Sequence, residues 1–214
     1  SADCCFRVFK DKTILLARKG KRPLSQGIRL LGAHADSPRL DLKQRPLYED
    51  RDVALAKTHY YGGIRKYQWL ARPLALHGIV VRNDGQSQKV CLGEDPGEPV
   101  FVIADLLPHL AQKQNEKKVS EAFEGEKLNI LLGHAPRSGA EEDQEDKQDK
   151  QKIKAQVLEL LHNKYGIVEQ DLYSAELQAV PADMPRPVGL DGSLLGGYGQ
   201  DDRICVFAAM QALL

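Results

Sequence analysis

The sequence predicts an α/β protein, and three observations carry that prediction. Short apolar runs of strand length recur between connections marked by glycine and proline. Ile153, Val157, Leu160 and Leu161 repeat at helical spacing. Residues 202–214 are apolar nearly all round, as expected of a helix buried against a sheet.

The first two strands are expected at residues 12–18 (KTILLAR) and 28–33, separated by KGKRPLSQG, in which Gly20, Pro23 and Gly27 break the chain. After Pro38 the composition turns loop-rich. Strand-length runs resume at residues 74–81, 89–92, 99–103 and 127–132, cut by Gly, Pro and the hairpin signal Asn83-Asp84-Gly85, so the middle of the chain reads as β-rich. The acidic tract EEDQEDKQDK, residues 141–150, fits a solvated loop and first turn, with a metal-binding tract as the alternative, leading into an amphipathic helix over 149–164 with Gly166 as its stop. In DLYSAELQAV, Tyr173, Ala175, Leu177 and Ala179 alternate with polar residues, the pattern of a strand with one wet face. The proline-dotted AVPADMPRPVG, residues 179–189, marks a second change in composition. Asp201 and Asp202 head the last helix, where the helix dipole favours negative charge.

With 214 residues, 42% hydrophobic and 28% charged, the chain is long enough for one large domain or two small ones with a real core. Thirty basic residues offset thirty acidic ones, so no overall field draws nucleic acid or an anionic membrane, and neither is expected as a partner. The longest near-apolar segment, residues 204–214, is interrupted by Gln211 and falls short of the roughly 20 residues that span a bilayer. Cys4, Cys5, Cys91 and Cys205 have no C-x-x-C spacing, and the adjacent Cys4 and Cys5 are awkward disulfide partners, which favours reduced thiols and a cytoplasmic location. SADCCFRVFK lacks the basic start of a signal peptide. The missing initiator methionine and the end inside an apolar helix make the chain read as a fragment.

Two motifs carry chemistry. In IRLLGAHADSPRLDLK, residues 28–43, an apolar run ends in H-x-D, and the two-residue repeat of extended chain puts His34 and Asp36 on one side. A metal-bound imidazole usually gives its second N–H to a carboxylate, and Asp36 is spaced to receive it. Taken alone, the tripeptide also fits a capped strand end. In GGYGQDDR, residues 196–203, glycines allow a tight turn before two carboxylates emerge at a helix start. Capping accounts for one aspartate but not for two in succession. A dinucleotide loop is the other reading, but GGYG lacks the full G-x-G-x-x-G spacing.

HADSPRLDLK, THYYGGIRKYQWLARPLALHG, ADLLPHLA and GYGQDDRIC, in this order and spacing, resemble the aspartyl aminopeptidase and aminopeptidase I family of zinc metallopeptidases. The resemblance covers nearly the whole chain. It implies an α/β/α sandwich split by an inserted β-rich dimerisation or lid domain, here residues 1–36 and 183–214 for the sandwich and 37–182 for the insertion. It also implies a homo-oligomer built from dimers, commonly of twelve subunits, two zinc ions per complete active site, and removal of N-terminal residues from peptides, acidic ones among them.

Carried over position by position, His34 resembles the histidine ligand of one zinc, Asp36 the residue that orients it, and Asp201 the aspartate bridging the two zincs. The first of the adjacent aspartates is taken because the second position varies in type across related peptidases. His109, in LLPHL, falls where the family's lid presents a histidine to the partner subunit's site. His59, His77, His134 and His162 match no ligand motif and read as structural or surface residues. The family requires a Glu-Glu pair after the bridging aspartate, followed by an acidic ligand and a final histidine. The pair Glu141-Glu142 precedes Asp201 and cannot serve. One histidine and one bridging aspartate hold zinc weakly and leave no general base, so the chain is expected to be inactive alone. The alternative is a non-catalytic assembly or binding module built on the lid.

Overall fold

A computed structural model describes residues 3–136 and 151–214. In chain order its strands are β1 (Cys4–Phe9), β2 (Thr13–Arg18), β3 (Arg39–Asp50), β4 (Val53–Tyr61), β5 (Leu74–Val81), β6 (Ser87–Leu92), β7 (Ile130–Gly133), β8 (Glu176–Pro181), β9 (Arg186–Val188) and β10 (Leu194–Gly196). Its helices are the single turns α1 (Gln112–Asn115) and α2 (Val119–Ala122) and the longer α3 (Lys152–Tyr165) and α4 (Gln200–Leu213). The chain divides into two compact units, residues 1–37 with 185–214, and residues 38–184.

The unit 38–184 is built on a six-stranded antiparallel sheet in the order β6-β5-β8-β3-β4-β7. Its longest strands lie where the sequence reads as loop-rich. In RLDLK the alternation is strict but masked by charge: Leu40 is fully buried, while Arg39 Nε donates to Asp41 Oδ1 at 2.8 Å along the opposite face. β4 repeats the pattern with Ala54, Ala56 and Thr58 inward. The Asn83-Asp84-Gly85 signal does form the β5–β6 turn, with Gly85 at φ +80° and its N–H on the Arg82 carbonyl at 2.8 Å.

Leu40, Ala56, Trp69, Leu74, Leu76, Ile103, Leu128, Ile130 and Ala179 form the main core. Each fully buried Leu or Ile there contributes about 1.5–3 kcal/mol relative to exposure. A second cluster gathers Val80, Val90 and Leu177 under Ile167 and Leu172. Its polar anchor is Asp171, 3% exposed, whose carboxylate accepts the N–H groups of Asn83 and Val168, each at 3.0 Å. α3 packs on the sheet through Ile153 and Val157 against Ala54. Glu49 Oε2, from β3, accepts the first free N–H groups of that helix, Ile153 at 3.0 Å and Lys154 at 2.9 Å, and Gly166 ends it at φ +68°.

Some strand expectations shift. Residues 99–103 contribute only isolated bridges through Phe101 and Val102, and β7 starts at Ile130 because a short 3-10 turn occupies Gly125–Lys127. Tyr173 belongs to a 3-10 turn over Glu169–Ser174, so the alternating strand begins only at Glu176.

The other unit holds the hairpin β1–β2, the hairpin β9–β10 and α4. Every buried apolar side chain among the described residues lies in 38–184. Residues 28–33, expected as a strand, form none, because the described residues offer them no ladder partner; Leu30 is 84% exposed. α4 is a helix as expected but buries none of its residues, with Phe207 60% exposed. The acidic tract with Glu141 and Glu142 lies outside the described residues.

Candidate metal centre

Residues 28–36 run without regular hydrogen bonding and bring His34 against the start of α4. His34 Nδ1 lies 3.1 Å from Asp36 Oδ1, and Nε2 lies 3.1 Å from Asp202 Oδ2. The imidazole thus stands between two carboxylates of different exposure, Asp202 at 19% and Asp36 at 44% of side-chain surface. Desolvation pulls the His34 pKa down, but the negative charges of Asp202 and Asp36 and the hydrogen bonds to Asp36 outweigh it, so the net shift is upward and the imidazolium is favoured.

Local sequence sets up the aspartates. Gly199 precedes the helix at φ +83°, where an added Cβ would meet the Arg203 guanidinium at 3.1 Å, and Gln200 Nε2 donates to the Leu195 carbonyl at 2.7 Å. Asp201 and Asp202 are joined by a cis peptide and carry non-helical angles, so regular helix begins at Arg203. The Ser37 hydroxyl donates to the Asp201 carbonyl at 3.1 Å, tying the end of the His34 segment to the same turn. One turn on, the Cys205 thiol hydrogen-bonds the Asp202 carboxylate, which with desolvation and the charges of Asp202 and Asp201 pushes its pKa up.

His34 and Asp36 therefore meet as the spacing anticipates. Of the adjacent aspartates it is Asp202 whose side chain faces His34, while Asp201 is exposed and contributes its carbonyl to Ser37. Sequence reasoning missed Ser37 and Cys205; Cys205 was recoverable from its helical spacing to Asp202. His109 is exposed, in the turn closed by the Leu110 N–H on the Leu107 carbonyl at 2.9 Å, and belongs to the unit 38–184.

The donor set suits zinc. With Nδ1–H given to Asp36, Nε2 is left as the ligating nitrogen, and its 3.1 Å separation from Asp202 Oδ2 is close to the roughly 3.3 Å expected of a nitrogen and an oxygen sharing one tetrahedral ion. A second group able to hold a metal, His77, Cys91 and Glu94, lies in the unit 38–184.

A mixed α/β chain that gathers a histidine and carboxylates at a glycine-led helix start has the make-up of a metalloprotein. The chain belongs to the aminopeptidase I zinc metalloprotease (M18) family, which matches residues 5–214. It is 52% identical over 205 residues to a probable M18 family aminopeptidase 1 of Clostridium acetobutylicum, covering 96% of this chain and 43% of that protein. The crystal structure of an M18 aminopeptidase from Thermotoga maritima superposes with a TM-score of 0.88 at 48% identity, over 97% of this chain and 44% of that one. Aminopeptidase I from Clostridium acetobutylicum also gives 0.88, at 47% identity over 98% of this chain and 44% of that one. The chain thus spans less than half the length of these relatives.

Proposed function

We propose that this chain supplies one side of the zinc centre of a cytoplasmic metalloaminopeptidase that removes N-terminal residues from peptides, acidic residues being the first class to test. His34 binds zinc through Nε2, Asp36 orients it, and the Asp201-Asp202 pair supplies the carboxylates, Asp201 as the bridge between two ions. A zinc pair polarises the scissile carbonyl and lowers the pKa of bound water. His34 and Asp36 fix where such an ion sits, and the pair at the start of α4 supplies the negative charge that holds it. The observation that carries this reading is the imidazole held between Asp36 and Asp202, each at 3.1 Å, in a chain of this family.

Residues 38–184 are proposed as the lid and dimerisation module within a homo-oligomer, and 1–37 with 185–214 as part of an α/β/α sandwich. His109, on an exposed turn, is proposed to reach a partner subunit's zinc site and steady the developing oxyanion. By itself the chain is proposed to bind zinc without turning over peptide, since the carboxylates that face His34 among the described residues, Asp36 and Asp202, are taken up in orienting the imidazole and holding the ion. The test is carried out on a protein of its relatives' length that includes this sequence. His109→Ala should depress kcat strongly while zinc content holds, whereas His34→Ala should lose zinc; mixing the two should restore some hydrolysis through interfaces pairing an intact lid with an intact centre. Zinc loss in His109→Ala, or no recovery despite subunit exchange, contradicts the assignment.

A further inference from the structure

The geometry points to a second transition-metal site, separate from the His34 residues, on the outward face of the sheet edge: His77, Cys91 and Glu94 form a three-ligand site for zinc or a similar thiophilic divalent ion.

The ligands come together through strand pairing. His77 on β5 and Cys91 on β6 are direct cross-strand partners. The N–H and carbonyl of Cys91 do not point toward β5: the Tyr165 hydroxyl accepts the first at 3.4 Å and donates to the second at 2.6 Å. His77 and Cys91 are therefore a non-hydrogen-bonded pair, the kind whose side chains approach more closely. Glu94 returns to the same face because Gly93 turns the chain at φ +89°. A Cβ at that position would press on Ala75 Cα and on the Leu74 and Pro99 carbonyl oxygens, each at 3.3 Å. The Gly93 N–H, bonded to Glu98 Oε2 at 2.9 Å, holds the turn.

The three ligand atoms lie within 4.8 Å of one another. His77 Nε2 is 3.2 Å from Glu94 Oε1, and Cys91 Sγ is 3.4 Å from Glu94 Oε2. Tetrahedral zinc with ordinary bond lengths sets a single oxygen about 3.3 Å from the nitrogen and about 3.6 Å from the sulfur, so the Glu94 carboxylate must rotate to bring one of its two oxygens into both relations. The carboxylate now straddles imidazole and thiol with one oxygen toward each. On binding, the thiol proton leaves to solvent, sulfur and Nε2 bond the ion, and one carboxylate oxygen takes the third position, leaving the fourth to water. Thiolate with imidazole favours zinc over calcium or magnesium, which take oxygen ligands. Desolvation, the hydrogen bond to Glu94 and the acidic neighbours raise the Cys91 pKa, a bias that a bound cation reverses.

The test is a Co2+ titration of the chain carrying Cys4→Ser, Cys5→Ser and Cys205→Ser, which leaves Cys91 as the single thiol. The thiolate-to-cobalt charge-transfer band in the near ultraviolet is the readout, since the ligands proposed around His34 include no sulfur. With His34→Ala added the band should saturate at one equivalent, and in either background it should be displaced by Zn2+ and vanish in Cys91→Ser. Glu94→Gln and His77→Ala, both outward-facing, should each weaken the affinity about tenfold or more. His34→Ala should leave the band unchanged. No band, a band of undiminished affinity in both Glu94→Gln and His77→Ala, or a band lost in His34→Ala would overturn the site.

Discussion

Asp36 touches His34 but faces away from the proposed metal position, so its effect can be separated from that of a ligand. Asp36→Asn should keep the shape while removing the charge that fixes the imidazole, weakening zinc binding by roughly 10–100-fold, measured by competition with a chelator. Asp171→Ala is a test of structure alone: the part-buried N–H groups of Asn83 and Val168 lose their acceptor, which should cost about 1–2 kcal/mol in urea unfolding. At this scale the sequence was informative where geometry is local. His34 and Asp36 were legible because extended chain repeats every two residues. Which of Asp201 and Asp202 would face His34 was not, because the directions of adjacent carboxylates depend on backbone angles that residue types do not fix. His77, Cys91 and Glu94 were illegible as a group for a different reason: strand register and the Gly93 turn bring them together.

Elements formed where a pattern was strong and complete within its own segment. The helix expected at 149–164 appears as Lys152–Tyr165 with Gly166 as its stop, since a buried stripe and a C-terminal glycine are both local signals. The composition after Pro38 reads as loop-rich although β3 and β4 form there, because charged residues fill the alternate positions and obscure the inward Leu40, Ala54 and Ala56. Residues 28–33 failed in the opposite sense: apolar character marks a candidate strand, but a strand also needs a hydrogen-bonding neighbour. Two substitutions test the packing. Ile153→Ala opens the small cluster under α3 and should cost about 2 kcal/mol or more, read as a lower urea midpoint with unchanged m. Gly78→Ala drives a Cβ to 1.8 Å from the Glu176 carbonyl oxygen and should damage the β5–β8 ladder more severely than any exposed substitution.

Across the molecule, the two units differ in how they are held. Residues 38–184 own the buried core, and charge contributes at its margin, where Lys164 at the end of α3 pairs with Glu98 after β6. The hydrogen bond from Lys164, with the Gly93 N–H, lowers the Glu98 pKa, and the same bond raises that of Lys164. The Glu98 contribution is therefore present above the ordinary glutamate value of about 4.3 and is lost as pH falls through its depressed folded value. The Lys164 contribution is present below about 10.4 and is lost as pH rises through its raised folded value. Glu98→Gln should flatten the acid limb of a thermal-midpoint-against-pH curve while changing little in the core.

No helix among the described residues is long and apolar enough to cross a membrane. The other unit, residues 1–37 with 185–214, places His34 beside Asp202 with no buried apolar side chain among its described residues. The metal centre on His34 is tested by calorimetric zinc titration of the chain carrying Cys91→Ser, with and without His34→Ala. A binding event is expected in the Cys91→Ser chain and should be removed by His34→Ala, with both proteins retaining the same far-ultraviolet circular dichroism. An isotherm unchanged by His34→Ala would contradict it.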